Sequence, residues 1–168
     1  MKKLFLTLVI AFAGILSANA QVWIGGSLNA NFKKDVNKIA VVPEIGYSFQ
    51  DSHWTIAAAA KYNYSDGANK LILSPYVRYS VCNIEKFALF MDLTGDFGVS
   101  GIKGYRVGLQ PGIAFMATKH WTAAFRFAFL GYNHFEYNEL LNVGEYGPDG
   151  FVVDFAATAP MFGLYYNF

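Results

Sequence analysis

One cysteine, Cys82, stands among 168 residues. No disulfide can form within the chain, and no His, Cys or acidic residue lies at a spacing from Cys82 that suggests a metal site or an activated nucleophile. Charge is scarce: 15% of residues are charged, against about 25% in a typical soluble domain. It is also balanced, 13 basic residues facing 12 acidic ones with no run of one sign, so nucleic acid is not an expected partner. After residue 20 no stretch offers 18 continuous apolar residues, so no membrane-spanning helix is expected. What the chain has in abundance is aromatic residues, 18% of the total. An aromatic-rich, charge-poor chain without a membrane helix points to a β-barrel in lipid or a β-sandwich.

The N-terminus reads as a leader. Met1-Lys2-Lys3 precedes an apolar run from Leu4 to Leu16, and Ser17-Ala18-Asn19-Ala20 supplies an A-x-A cleavage pattern. A basic end, a short apolar run and small residues before the cut describe a secretory signal peptide over 1–20. The run is shorter than the about 20 residues a spanning helix requires. Cleavage after Ala20 leaves a mature domain, 21–168, in which 11 basic residues face 12 acidic ones. At 148 residues, one domain is expected.

A repeat lies in that domain. Val-Val-Pro43-Glu-Ile-Gly-Tyr, Leu-Ser-Pro75-Tyr-Val-Arg-Tyr, Leu-Gln-Pro111-Gly-Ile-Ala-Phe and Thr-Ala-Pro160-Met-Phe-Gly-Leu align on their prolines. Large apolar residues follow each proline at two and four places: Ile45 and Tyr47, Val77 and Tyr79, Ile113 and Phe115, Phe162 and Leu164. A second set of segments opens on Trp23, Trp54, Phe87 and Trp121, separated by 31, 33 and 34 residues. A period of this size marks a repeated supersecondary unit. Here the unit is a β-hairpin, and four hairpins predict eight strands, near 22–31, 39–50, 54–65, 70–81, 87–97, 105–116, 121–132 and 151–168. Strands of about 9–11 residues suit a tilted bilayer crossing. Tight connections are expected at 51–53, 82–86 and 117–120, and longer ones at 32–38, 98–104 and 133–150, with 66–69 an exception. Short turns at one end and longer loops at the other match outer-membrane barrels. The strand prolines each remove a ladder donor and are expected at bulges or bends.

Alternation then separates two faces. One face is greasy throughout, running through Ile45, Ile56, Leu73, Val77, Leu89, Leu93, Ile113, Phe125, Phe127, Phe129, Phe162, Leu164 and Tyr166 without a charge. The other carries small and polar residues with Glu44, Lys61, Arg78, Asp92, Asp96, Arg106 and Arg126. A lipocalin-like soluble barrel would turn the greasy face inward around a ligand, leaving an exterior too rich in Gly and Ala for a soluble surface. The inside-out arrangement is therefore the expected one, with Trp54, Phe87, Trp121 and Phe168 in an aromatic rim beside the short turns. An eight-stranded barrel is just wide enough for side chains to fill, so Tyr76, Phe90 and Tyr165 should plug it with the ionic residues. Pairing Val81 with Phe87 makes Arg78 and Asp92 diagonal neighbours. The same construction makes Glu44 and Lys61 diagonal, sets Asp96 opposite Arg106, and puts Arg126 near Gln110. These are expected structural ion pairs, since an unpaired charge in a narrow interior is expensive.

The leader, the aromatic-led hairpins and the tail Pro160-Met-Phe-Gly-Leu-Tyr-Tyr-Asn-Phe168 together resemble the small eight-stranded outer-membrane β-barrel family, of the OmpA transmembrane-domain and OmpX type. The resemblance covers the whole mature chain and contains no functional-site motif. It implies an all-β, eight-stranded antiparallel up-and-down transmembrane barrel, monomeric, in the outer membrane of a Gram-negative bacterium. It implies outer-membrane lipid and the barrel-assembly machinery as partners, the latter reading Phe162, Leu164, Tyr166 and Phe168. Unlike OmpA, no periplasmic domain follows the barrel, so peptidoglycan anchoring is not expected.

Function has to come from a site and not from the fold. The favoured reading is a non-enzymatic barrel with a structural role or loop-mediated adhesion. Its candidate interaction loop contains His134, Phe135, Tyr137 and Tyr146 among several acidic residues, and long loops on a rigid scaffold commonly carry binding to an extracellular ligand or surface. A lipid-modifying enzyme needs a Ser/His pair oriented by an acid. Only His134 and Ser100 are placed for it, and no accepted spacing links them. A narrow pore or small-ligand carrier is disfavoured by the plug. No catalytic residue, cofactor or metal is expected.

Overall fold

A computed structural model describes residues 21–33, 36–65, 68–135, 149–154 and 161–168. Residues 1–20, Tyr137, Tyr146 and Pro160 lie outside the described residues. The strands are β1 (Gln21–Lys33), β2 (Val36–Ser48), β3 (Trp54–Ser65), β4 (Ala68–Ile84), β5 (Phe87–Ser100), β6 (Gly104–Met116), β7 (Trp121–Arg126), β8 (Phe129–Phe135), β9 (Gly150–Asp154) and β10 (Met161–Asn167). Each hairpin partner is antiparallel, β5 pairs with β6, and β10 returns to β1 through Trp23↔Asn167 to Asn29↔Met161. The sheet therefore closes on itself. β7 with β8 and β9 with β10 are each two halves of one stave, so eight staves make an up-and-down barrel. The Phe168 amide donates to the Val22 carbonyl at 3.0 Å, fastening the residue after β10 to β1.

Period-two alternation sets which way side chains point. Ile45, Trp54, Ile56, Leu73, Val77, Leu89, Leu93, Ile113, Phe162 and Leu164 are exposed on the outside, while Glu44, Tyr76, Arg78, Phe90, Asp92, Arg126 and Tyr165 are buried inside. An apolar exterior around a polar interior is the transmembrane kind of barrel. Among the described residues no helix is long and apolar enough to cross a membrane. The rim beside the tight turns is aromatic: Trp54 against Tyr79, Phe87 against Phe115, and Tyr166 between Trp121 and Phe168.

Several expectations need correction. β4 runs on to Ile84, so the turn before β5 is only Glu85-Lys86, with Glu85 at φ 48°. Cys82 thus sits near a strand end, exposed, and not in the turn. Val81 does not face Phe87: it is the extra residue of a bulge between Ser80↔Phe90 and Cys82↔Leu89. That bulge puts Arg78 directly opposite Asp92 instead of diagonal to it. The loop-side connections are also shorter than expected, since β1 reaches Lys33, β2 starts at Val36, and β5 and β6 leave only 101–103 between them.

Phe129 is the plainest miss. Gly112 faces Arg126 on β7, but Leu109 faces Leu130 on β8, so two residues of β6 oppose three of the neighbouring stave. The irregularity falls at Pro111, whose carbonyl accepts from Phe127 N–H at 3.2 Å. A residue without an N–H cannot serve a regular ladder on that edge, and an inserted residue reverses parity beyond it. Phe127 stays outside, while Phe129 is turned inward and buried. Pro43 is the last residue of β2 before its ladder to β3 begins, and the β4–β5 pairing skips Pro75 without losing register.

Candidate functional site

The lumen is where the polar chemistry of this chain collects. Small residues on the inner face leave space for large ones: a side chain at Gly46 would collide with the Trp23 indole, and one at Gly112 with the Phe90 ring. Trp23, Tyr76, Phe90, Ala114, Ala124 and Tyr165 form one buried cluster on the turn side. Trp23 meets Tyr165 edge-on, with centroids 4.8 Å apart.

Arg126 stands over that cluster and organises the charges. Its Nε donates to Asp92 Oδ2 at 2.8 Å and its Nη2 to Glu44 Oε2 at 3.1 Å. Its Nη1 donates to Ser27 Oγ and Tyr165 Oη, both at 3.2 Å. Arg78 takes the other side of Asp92 with a two-pronged pair, Nε to Oδ1 at 2.7 Å and Nη2 to Oδ2 at 2.8 Å. Glu44 accepts from Tyr76 Oη at 2.7 Å and from the hydroxyl of Ser27, and Tyr165 Oη lies 3.3 Å from both its oxygens. The two guanidiniums also lie over rings: Arg78 is 3.7 Å from the Phe90 centroid and Arg126 4.9 Å from that of Tyr76. Two carboxylates and two guanidiniums sum to zero charge, and every member is bonded, which is what a low-dielectric interior demands.

The network draws on β1, β2, β4, β5, β7 and β10, so it ties together staves that never touch through their backbones. Nearer the loop end a separate pair forms. Lys61 Nζ sits 2.9 Å from both oxygens of Asp96, reaching from β3 across β4 to β5. Arg106 lies 3.4 Å above the Phe129 ring.

Partner choice differs from the sequence expectation. Asp96 and Arg106 do face each other in register, but the ion pair of Asp96 goes to Lys61. Glu44 and Lys61 do not meet: Glu44 is taken by Arg126. Arg126 faces Gly112, two places from Gln110, and its reach exceeds its immediate neighbours. Sequence reading missed Ser27 as a member of the network. It was visible only as a small polar residue on the inner face.

The loop-side candidates divide. His134 is exposed on β8, its Nδ1 3.0 Å from Asp149 Oδ1 and its ring 5.4 Å from that of Tyr105. Both partners of this pair are more than half exposed, so it contributes little stability. Phe135 is buried at 7% exposure and faces the lumen, so it is not displayed as a loop residue. Ser100 is exposed at the end of β5, and among the described residues no hydroxyl is bonded to His134. No group of His, Cys, Asp and Glu that could hold a metal occurs among the described residues.

The model of the family described as "Protein of unknown function (DUF3575)" matches residues 6–148. No curated protein matches the chain. Among solved structures, the chain is similar to Ail, the attachment invasion locus protein of Yersinia pestis, at a TM-score of 0.40 and 12% identity, over 89% of this chain and 97% of that one.

Proposed function

Because the chain belongs to the DUF3575 family, a family of unknown function, its role has to be read from its own geometry, and we propose that it is a non-enzymatic outer-membrane barrel with a closed interior. It works as a monomeric structural scaffold whose loop side meets an extracellular ligand or surface. The observation that carries this reading is the contrast between its two faces: a neutral, fully bonded quartet of Glu44, Asp92, Arg78 and Arg126 inside, and uncharged Ile, Leu, Val and Phe outside. Such an exterior is stable only against hydrocarbon, and such an interior holds side chains, not a solute.

Lipid is the first partner. The barrel-assembly machinery is the second, reading Phe162, Leu164, Tyr166 and Phe168, which share the outer face of β10 and its end. The His134–Asp149 pair is half of an acid-oriented dyad and lacks a bonded nucleophile among the described residues, so a hydrolase or acyltransferase role is not favoured.

Fractionation tests the location. The mature chain is expected to sediment with outer membranes and to change gel mobility on boiling; recovery in a soluble fraction with unchanged mobility would overturn the reading. Lipid A extracted with and without the protein should show the same acyl pattern by mass spectrometry. A changed pattern would make it an enzyme. For the assembly partner, Phe168→Ala should lower membrane yield without changing the urea midpoint of the barrel that does assemble.

A further inference from the structure

The dipeptide His-Trp occurs twice in the chain, at 53–54 and at 120–121. Each time it leaves a tight turn and its tryptophan opens a strand, β3 or β7. Each tryptophan faces a tyrosine of the neighbouring strand, Trp54 opposite Tyr79 and Trp121 opposite Tyr166. The residue after that tyrosine donates its amide to the histidine carbonyl: Ser80 to His53 at 2.8 Å, and Asn167 to His120 at 2.7 Å. Both imidazoles lie against the same tyrosines, with centroids 5.7 Å apart for His53 and Tyr79 and 5.5 Å apart for His120 and Tyr166.

The two sites then part. The His53 ring is tilted at 48° to Tyr79, whereas that of His120 lies at 16° to Tyr166, nearly parallel. His120 Nδ1 is 3.0 Å from the carbonyl oxygen of Asn167. A carbonyl can only accept, so Nδ1 carries the proton. In an antiparallel ladder, the two residues of a hydrogen-bonded pair exchange both N–H···O bonds. Beyond Tyr166↔Trp121 the next such pair is Asn167 with His120, but the His120 amide is turned into its own turn, donating to Thr118 Oγ1 at 3.2 Å. The imidazole supplies the return donor in its place. The Asn167 side chain strengthens the grip, donating to the His120 carbonyl at 3.3 Å and to Thr122 Oγ1 at 3.1 Å.

We infer that His120 is a positioning residue for closure of the barrel. Its side chain extends the β7–β10 ladder by one residue and holds β10 at the register in which Asn167 meets Trp23 of β1. The sheet closes on β10, so an end of β10 fixed on β7 presents Phe168 to Val22. The β3–β4 hairpin bears no such duty, and its His53 keeps only the carbonyl bond and the ring contact. This role belongs to the folded chain and does not depend on what surrounds the barrel.

Ring-nitrogen NMR shifts of the refolded mature protein at about pH 9, where a free imidazole is neutral, test the donor directly. His120 should carry its proton on Nδ1; a proton on Nε2 would overturn the inference. Amide hydrogen exchange tests the closure: His120→Ala should speed exchange at Asn167 and Phe168 at least about tenfold. His120→Asn, whose side-chain amide can donate in place of Nδ1, should stay within about threefold of the native rates. His53→Ala should leave those two amides unchanged. Native rates in His120→Ala, equal acceleration by His53→Ala, or a His120→Asn chain as fast as His120→Ala would each overturn it. Should His120→Ala fail to fold, the native ring shifts and the His120→Asn rates decide.

Discussion

Two groups of charges sit in the same lumen and are held very differently. In the quartet, Arg126 and Arg78 share Asp92, Arg126 also reaches Glu44, and both acids are 1% exposed in their side chains. Towards the loop end, Lys61 and Asp96 make a single salt bridge with Lys61 18% exposed. The difference follows depth. Where water is excluded, a charge survives only in a fully bonded set, and arginine's fixed fork can serve two carboxylates at once. Nearer the loop end, a single ammonium with residual solvation serves. A buried quartet of this kind is costly to break by removing one member, although an apolar replacement of the whole set need not be.

The comparison can be broken at its strongest point first. Arg126→Ala leaves Glu44 buried without its cation and Asp92 with Arg78 alone, and should cost about 3–5 kcal/mol, read as a fall in the urea midpoint of the boiling-sensitive folded band. Glu44→Gln keeps the shape but removes the charge facing Arg126, and should cost about 2–3 kcal/mol by the same measurement. Lys61→Met removes a partner from the more solvated pair and should cost about 1–2 kcal/mol. The comparison fails if Lys61→Met proves as damaging as Arg126→Ala. Tyr76→Phe, which withdraws one of the hydroxyls donating to Glu44 and leaves its ring in the buried cluster, should cost about 1 kcal/mol. A loss as large as that of Glu44→Gln would mean that the tyrosine, not Arg126, is the main support of that carboxylate.

Much of this architecture was legible in the residues. Strict alternation over long strands is the least ambiguous signal a β-protein gives, and it placed Ile45, Leu73, Phe162 and Leu164 outside and Glu44, Arg78, Asp92 and Tyr165 inside. What escaped were features that alternation cannot encode. One extra residue at Val81 changed Arg78 and Asp92 from diagonal to opposite, and the irregularity at Pro111 carried Phe129 to the other face. Bulges add a residue without a reliable mark in composition: Pro111 hinted at the irregularity in β6, while no proline stands beside Val81.

The Arg78–Asp92 pair was legible, but two others were not, because adjacency in the sheet does not limit partners in a narrow lumen: Arg126 reaches Glu44 across the barrel and Lys61 reaches Asp96 over an intervening stave. The expected assembly partner came from the family resemblance and not from alternation.

If bonded ionic groups and rings fill the lumen, the refolded mature protein in planar bilayers should show no large, stable single-channel conductance; large, stable steps from the native chain would mean that the lumen is open.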